Sequence, residues 1–270
     1  MTSPTSGGVD PLRIDTSKPH PARMYDYFLG GKDNYEVDRE AAEQFIKVAP
    51  EVRVGVRANR RFMHRAVRHL VAEGGIRQIL DVGTGLPTEP NVHQIAHAIA
   101  PETRIAYVDN DPIVSAHSMA LMDDTDTSVV LADLRDPRAV LDHPDVREVI
   151  DFDRPVALLL VAIMHFVSDA EDPYGIVATL RDALPTGSYL VLSHATGDLH
   201  EDRREDAASV YNKASATMNL RSHSGVLDFF GDFALLDPGL VQVPDWRPEE
   251  PPRRDAPQIG IYGGVARKDG

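Results

Sequence analysis

The sequence predicts an α/β fold in which helices cover both faces of a doubly wound, mainly parallel sheet. From Arg77 onward, short apolar segments alternate with segments of helical periodicity, which is typical of repeated β-α-β units. The segment at 155–166, PVALLLVAIMHF, is apolar along nearly its whole length, as expected for a central parallel strand that is buried on both faces. Beyond His194 the alternation stops, and FALLDPGLVQVPDW and QIGIYGGVARK indicate a final pair of strands.

The composition excludes several classes of protein. The 270 residues carry a formal net charge of −14 and no cysteine. A surface this acidic repels nucleic-acid phosphates and anionic lipid, and a chain without cysteine has no disulfide, thiol nucleophile or thiolate metal site. The longest apolar run, Val156 to Met164, is too short to cross a bilayer, and the amino terminus lacks a signal-peptide pattern. We therefore expect a cytoplasmic protein that binds neither nucleic acid nor membrane and holds no metal; its oligomeric state stays open.

Three parts are expected along the chain: a flexible arm at 1–16, an N-terminal helical cap at 17–75 and a sheet-containing core at 76–270. The arm is rich in Ser, Thr, Gly and Pro, which favours disorder at a terminus. The cap begins with ARMYDYFLGG, a short helix that Gly30 and Gly31 should end because glycine adopts the left-handed backbone conformation readily.

Two further helices should complete the cap. Asp33 or Asn34 is a suitable N-cap for the second, and Pro50 should stop it. Apolar residues at helical spacing predict a third helix over 51–73. Its other faces carry six arginines: Arg53, Arg57, Arg60, Arg61, Arg65 and Arg68. The commonest role of such a cluster is a solvated helix face.

The stretch RQILDVGTGLP is the centre of the predicted site. Ile79, Leu80 and Val82 indicate a short buried strand, and Gly83-Thr84-Gly85 turns sharply out of it. A helical pattern, PNVHQIAHAIA, follows. A strand, a glycine turn and a helix together let a ligand approach the bare backbone at the carboxyl end of a sheet.

The details of this turn choose between two classes of cofactor. The dinucleotide fingerprint G-x-G-x-x-G fails here, because Thr88 stands where the last glycine is needed for close helix packing. Asp81, Gly83 and Gly85 match instead the pattern acid-x-G-x-G of S-adenosylmethionine (SAM) methyltransferases, although Pro87 replaces their frequent third glycine. A glycine turn that binds no ligand is the alternative.

Acidic residues end three successive predicted strands. Asp81, Asp109 and Asp133 should lie on one rim of the sheet, where open α/β folds bind ligands. Asp109 is placed to accept the ribose hydroxyls of an adenosine ligand, Asp133 to meet its adenine amino group, and Asp81 to hold an ammonium group. Their neighbours Asn110 and Leu134 are included in the predicted cofactor site. The alternative is that strand ends carry aspartate only because loops favour it.

The chain resembles a bacterial S-adenosyl methyltransferase family that was long catalogued as a domain of unknown function. The resemblance extends from about residue 14 to 268 and rests on six stretches: ARMYDYFLGGKDNYEVDREAA, RANRRFMHRAVRHL, ILDVGTGLPT, YVDNDP, LLLVAIMHFVSD and YGGVARK. YDYFLGGKDN is the most specific of them. The resemblance implies SAM as cofactor and the Rossmann-like, doubly wound, seven-stranded sheet of class I methyltransferases with an N-terminal helical cap. It implies no particular substrate.

For catalysis the sequence offers two histidines at strand ends. Methyl transfer is an in-line displacement that depends mainly on positioning, but a general base helps when the acceptor is a hydroxyl or a protonated amine. His165 follows the fourth strand and is the candidate base, and His194 ends the fifth. Either histidine could equally be a loop residue with a satisfied hydrogen bond. Arg57 and Asn59 are expected to face inward from the third helix, where Arg57 would clamp the methionine carboxylate or a substrate anion.

The cap is predicted to act as a lid. Tyr25, Phe28, Lys32 and Asn34 mix aromatic and polar groups beside two glycines, which suits a segment that shields the reacting centre and shapes the acceptor pocket. The alternative is a helix hairpin that only covers one face of the sheet.

Together these observations favour a SAM-dependent methyltransferase that acts on a small molecule. The absence of an Asn-Pro-Pro-Tyr motif after the fourth strand argues against the amino-methyltransferases that carry it. A module that binds SAM or a nucleoside without turnover, and a nicotinamide oxidoreductase, are the alternatives; Thr88 disfavours the latter.

Overall fold

A computed structural model describes residues 16–121, 126–199, 217–250 and 257–270. The predicted arm therefore lies outside the described residues except for Thr16. In the predicted cap the structure has three helices: α1 (Pro21–Leu29), α2 (Glu36–Val48) and α3 (Val52–Ala72). None of the helices within the described ranges is both long enough and apolar enough to cross a membrane.

The remainder of the described chain forms one mixed sheet with helices on both faces. Its strands are β1 (Gln78–Val82), β2 (Arg104–Asp109), β3 (Thr127–Leu131), β4 (Ala157–Val161), β5 (Tyr189–Ala195), β6 (Ala234–Leu235), β7 (Val241–Gln242) and β8 (Ile261–Arg267). The helices are α4 (Val92–His97), α5 (Pro112–Leu121), α6 (Pro137–Leu141), α7 (Pro144–Val149), α8 (Pro173–Asp182) and α9 (His223–Leu227). Short 3₁₀ turns follow β4 at Met164–Phe166 and Asp169–Glu171.

The strand order is β3-β2-β1-β4-β5-β8-β6, with β7 also paired to β8. Strands β1 to β5 are mutually parallel, and β8 runs antiparallel to β5. The predicted doubly wound α/β fold is confirmed. Within the described residues the sheet has eight strands, whereas seven were predicted. The difference arises at one edge, where two two-residue strands, β6 and β7, both pair with β8. Pro238 lies between these segments and lacks the N–H that a continuous strand would need for its ladder.

Two apolar layers cover the sheet. One layer contains α8 and the 229–233 region, and the other contains α3, α4 and the fully buried Trp246. Phe62 of α3 meets Trp246 edge to face, with ring centroids 5.5 Å apart. Val56, six residues earlier on α3, belongs instead to the cluster of α1 and α2. Helix α3 thus joins the predicted cap to the predicted core.

The start of α2 differs from the sequence prediction. Helix α1 ends as expected at Gly30, which has a φ of 91°. Helix α2, however, is capped at Tyr35, whose N–H donates to Asp38 Oδ2 at 2.9 Å. The prediction that Asp33 or Asn34 caps this helix is wrong, since the N-cap is Tyr35; the Asn34 amide donates instead to Asp26 Oδ2 in α1.

Candidate cofactor site

A cavity of about 420 Å³ lies at the carboxyl ends of the first four strands, beneath α1 and the middle of α3. Its size falls within the usual range for small-molecule sites. Nine of the fifteen predicted site residues line it: Tyr25, Asp81, Gly83, Thr84, Gly85, Asp109, Asn110, Asp133 and Leu134. Phe28, Lys32, Asn34, Arg57, His165 and His194 are not in its lining.

The glycine turn forms one wall of the cavity. Gly83 and Gly85 have φ values of 76° and 66°, a region that disfavours side chains. A Cβ on Gly83 would lie 2.4 Å from Ile163 Cγ1, so this glycine also lets the loop after β4 approach the turn. Thr84 fixes the neighbouring acid, because its hydroxyl donates to Asp81 Oδ2 at 3.0 Å.

Asp109 is held by backbone N–H groups at the end of β2. Its Oδ2 accepts from Gly85 N at 2.9 Å and its Oδ1 from Asp111 N at 2.9 Å. Burial raises the pKa of Asp109 to about 6, although both N–H donors favour its charged form. The carboxylate is thus oriented before any ligand binds.

Asp81 lies beside Asp109 in a similar environment. Burial raises its pKa to about 6, against the opposing effects of the Thr84 hydroxyl and the Arg60 guanidinium. Asp81 therefore changes charge near neutral pH, which an exposed aspartate does not.

Asp133, the third strand-end acid, lies at the outer end of the cavity. Asn110 Nδ2 donates to its Oδ2 at 3.3 Å, and the Arg135 N–H donates to its Oδ1 at 2.9 Å. Arg135 also lines the cavity. The sequence prediction did not single out Arg135.

Arg60, and not Arg57, faces the cavity from α3. Arg60 lines it and is half-buried, whereas Arg57 is exposed. Arg60 Nη2 donates to the carbonyls of Thr88 and Pro90, which ties α3 to the chain after the glycine turn. The expectation that Arg57 faces inward is wrong, because its position on α3 points to solvent. Burial lowers the pKa of Arg60, and Tyr25 and Asp81 oppose that shift.

Asn59 does face inward, as predicted. Its Nδ2 donates to the Tyr25 hydroxyl at 3.1 Å, and that hydroxyl donates to the Val56 carbonyl at 3.1 Å. Because the Tyr25 proton is used in this way, the Asn59 amide must present its oxygen elsewhere. Asn59 Oδ1 is buried and has no hydrogen-bond partner among the described residues, so a hydrogen-bond donor on a ligand would satisfy it.

The segment before α1 closes over the loop that follows β2. His20 Nδ1 lies 3.2 Å from Asp111 Oδ2, and Asp111 Oδ1 accepts from the N–H of Ile113 at the start of α5 at 2.9 Å. Arg23 pairs with the buried Asp38 at 2.9 Å. His20, Arg23 and Asp111 line the cavity and were missed in the sequence, where only the YVDNDP motif pointed to Asp111.

His165 and His194 lie behind the cavity wall. His165 is 6% exposed and its Nδ1 accepts from the Ala195 N–H at 3.4 Å. His194 Nδ1 donates to the Ala195 carbonyl at 2.6 Å, and its Nε2 accepts from Arg221 at 2.9 Å. Burial lowers the pKa of His194 to about 3 and that of His165 well below its usual value. Both rings are therefore neutral at physiological pH.

The predicted lid residues divide between the cavity and the hairpin. Phe28 is buried against Phe45, with centroids 5.9 Å apart, and Lys32 is exposed. Asn34 Nδ2 donates to Asp26 Oδ2 at 2.8 Å. Tyr25 alone of the four predicted residues lines the cavity.

The residues present fit the adenosine and amino-acid ends of SAM. Three buried or half-buried carboxylates can accept hydroxyl, amine and ammonium donors, and Asn59 Oδ1 offers a further acceptor without a partner among the described residues. No described neighbour comes within 4 Å of the place where a Cβ on Gly85 would lie, so a ligand can approach that backbone.

Comparisons with known proteins place these observations in a family. A family model described as S-adenosyl methyltransferase matches residues 8–269. A DUF574 family protein from Streptomyces avermitilis is 46% identical, with 95% of this chain and 100% of that chain covered and a TM-score of 0.91. A protein from Thermobifida fusca described as a candidate methyltransferase is 40% identical over 97% of this chain and 99% of its own, with a TM-score of 0.90.

More distant structures share the fold. An O-methyltransferase family protein from Burkholderia thailandensis is 12% identical, with 96% of this chain and 66% of that chain covered and a TM-score of 0.52. A search among curated proteins found no match.

Proposed function

Since the chain belongs to the S-adenosyl methyltransferase family and is therefore a methyltransferase whose cofactor is SAM, we propose that it methylates a small molecule bound in the cavity beneath α1. The observation that carries this proposal is that the glycine turn and the acids at the carboxyl ends of β1, β2 and β3 line the same cavity. In open α/β sheets such an edge is the usual ligand site.

In this proposal each strand-end acid holds one part of the cofactor. Asp109 accepts the ribose hydroxyls, and Asp133 with the backbone of Leu134 meets the edge of the adenine. Asp81 holds the ammonium group from beside the glycine turn. The support is their order along the rim, because β1, β2 and β3 are successive neighbours in the sheet.

Arg60 and Asn59 are proposed to hold the amino-acid end from α3. Arg60 lines the cavity, and its guanidinium is suited to a carboxylate. Asn59 Oδ1 accepts from a donor on the ligand. This role was first expected of Arg57, which is exposed.

Catalysis is proposed to rest on positioning. SAM supplies an electrophilic methyl group on a sulfonium, and the wall made by Ile163 and Phe166 would orient the acceptor toward it and exclude water. His165 is the candidate general base from the sequence, but its ring lies outside the cavity lining, and burial disfavours the protonated form that a base must adopt. We propose instead that His165 and His194 hold the loop that follows β4 in place, through their contacts with Ala195 and Arg221.

The test of the cofactor site is calorimetric titration with S-adenosylhomocysteine (SAH), SAM and NAD. Asp109→Ala removes charge-assisted hydrogen bonds worth about 1.5–3 kcal/mol each, so SAH affinity should fall about tenfold or more. Asp145→Ala, an exposed aspartate in α7, is the control and should bind as the wild type does. Unchanged SAH affinity in folded Asp109→Ala would refute the assignment, and a metabolite screen for SAM consumption would identify the acceptor.

A further inference from the structure

Side chains join the loops that follow β3 and β4, although two strands separate these loops. In the order β3-β2-β1-β4, β3 and β4 are three strand spacings apart, roughly 14 Å. Arg135, in the loop after β3, nevertheless reaches Glu171 in the loop after β4, with Nε 2.5 Å from Oε1. The connection therefore passes over the ends of β1 and β2, where the glycine turn and Asp109 lie.

Arg135 holds both sides of this connection. Its N–H donates to Asp133 Oδ1 at 2.9 Å, and its Nη1 lies 3.3 Å from each Asp133 oxygen. Its Nη2 donates to the Phe166 carbonyl at 3.3 Å. Arg135, Asp133 and Phe166 all line the cavity, so one guanidinium ties an acid proposed to meet adenine to the opposite wall.

Glu171 is fixed in the orientation that receives Arg135. Its Oε2 accepts from the Ser168 N–H at 2.7 Å and from the Ser168 hydroxyl at 2.6 Å, which leaves Oε1 for Arg135. The two Ser168 donors, with Arg135, lower the pKa of Glu171 to about 2. The side chains of Arg135 and Glu171 are 37% and 36% exposed, so the pair lies where the cavity wall meets solvent.

We propose that Arg135 and Glu171 form a clasp over the adenosine end of the cofactor, which positions Asp133 and sets how fast the cofactor leaves. This inference rests on the proposed cofactor site. In this proposal the adenosine end leaves the cavity between the loops that follow β3 and β4, and the pair must separate before it can do so. When the pair forms again after binding, this exit is closed. The pair is partly exposed, so its contribution is small, and loss of the clasp should raise the SAH dissociation rate about two- to fivefold.

Stopped-flow displacement of SAH from the full chain measures this rate. Arg135→Ala and Glu171→Gln should each raise it, and the double variant should release SAH no faster than Arg135→Ala, because both changes remove one interaction. Glu102→Gln is the matched control. Glu102 is also exposed and pairs with Arg77 at 2.7 Å, but it precedes β2 and therefore lies at the amino ends of the strands, away from the cavity.

Two further readouts separate a clasp from a general effect on folding. 5′-Methylthioadenosine, which has the adenosine end but no amino acid, should leave faster from both variants by the same factor as SAH. Raising NaCl to about 1 M, where the screening length is about 3 Å, should speed release of 5′-methylthioadenosine, which has no amino-acid charges, from the wild type more than from Arg135→Ala. Neither result is expected of a residue that only stabilises the fold.

Each outcome decides the proposal. Dissociation rates in Arg135→Ala and Glu171→Gln equal to that of the wild type would overturn the clasp and leave the cofactor site intact. An equal rise in Glu102→Gln would also overturn it, because the effect would then be general. If Arg135→Ala fails to fold, Glu171→Gln alone carries the test. A wild-type protein that binds no SAH would overturn the clasp together with the proposed cofactor site.

Discussion

Arg60 and Arg57 lie on the same helix, yet only Arg60 lines the cavity. If Arg60 holds the methionine carboxylate, Arg60→Ala should lower SAH affinity about tenfold or more, since a charge-assisted hydrogen bond is worth about 1.5–3 kcal/mol. The affinity for 5′-methylthioadenosine, which has no carboxylate, should stay unchanged. Calorimetric titration with the two ligands measures both effects.

Arg57→Ala is the matched control for this change, because it removes the same side chain from the exposed face of α3. It should bind both ligands as the wild type does. An equal loss of affinity for both ligands in Arg60→Ala would point to a displaced glycine turn, since Arg60 also binds the carbonyls of Thr88 and Pro90. That result would contradict a carboxylate clamp.

The difference between the two arginines shows which site residues the sequence can predict. Asp81, Asp109 and Asp133 were predicted to line one rim because each ends a parallel strand, and strand ends meet there by geometry. Strand geometry does not identify which arginine of α3 faces the cavity. Six arginines lie on that helix. The packing of Phe62 and its neighbours sets the rotation of α3 about its axis, and this rotation decides which arginine faces the cavity.

The hairpin of α1 and α2 depends on a buried carboxylate. Asp26 Oδ2 accepts from the Asp33 N–H at 3.0 Å and from the Asn34 amide at 2.8 Å, and the Gly31 backbone packs against the same side chain. A Cβ on Gly31 would lie 1.8 Å from Asp26 Oδ1. The YDYFLGGKDN stretch thus combines a cavity-lining tyrosine with a structural loop, and sequence alone did not separate the two roles.

Gly31→Ala should therefore destabilise the protein by about 1–3 kcal/mol, the usual cost of overpacking. Gly55→Ala is the control. Gly55 lies inside α3, and the nearest atoms to its Cβ would be 3.7 Å away, so alanine should be neutral or stabilise by up to about 1 kcal/mol through its higher helix propensity. Urea unfolding of both variants measures the difference. Equal stabilities for the two variants would contradict this account of the hairpin.

The parallel half of the sheet can be predicted from the sequence better than its antiparallel edge. Alternating apolar strands and helical patterns place β1 to β5 because a β-α-β crossover has a single strongly preferred hand. The edge formed by β6 and β7 has only two residues in each strand. Segments this short carry too little periodicity to predict where pairing stops.

The stability of the whole protein should respond to pH through Asp81 and Asp109. Burial raises both pKa values to about 6 from an ordinary value of 3.8. Between about pH 4 and pH 6 the folded state therefore binds more protons than the unfolded state. The contribution of these two groups to the free energy of unfolding should fall as the pH rises through this window and level off above the folded-state pKa values.

Cofactor binding should show the opposite trend. Ribose hydroxyls donate to ionised Asp109, so protonation at about pH 5, one unit below its pKa, should lower SAH affinity about tenfold. A ligand that binds only the folded state raises its melting temperature according to its affinity. At a fixed SAH concentration, the increase in Tm should thus be larger near pH 7.5 than near pH 5, as differential scanning fluorimetry can measure. Asp109→Asn, which does not titrate there, should weaken this dependence. The same Tm increase at both pH values in the wild type would show that SAH binding does not require ionised Asp109.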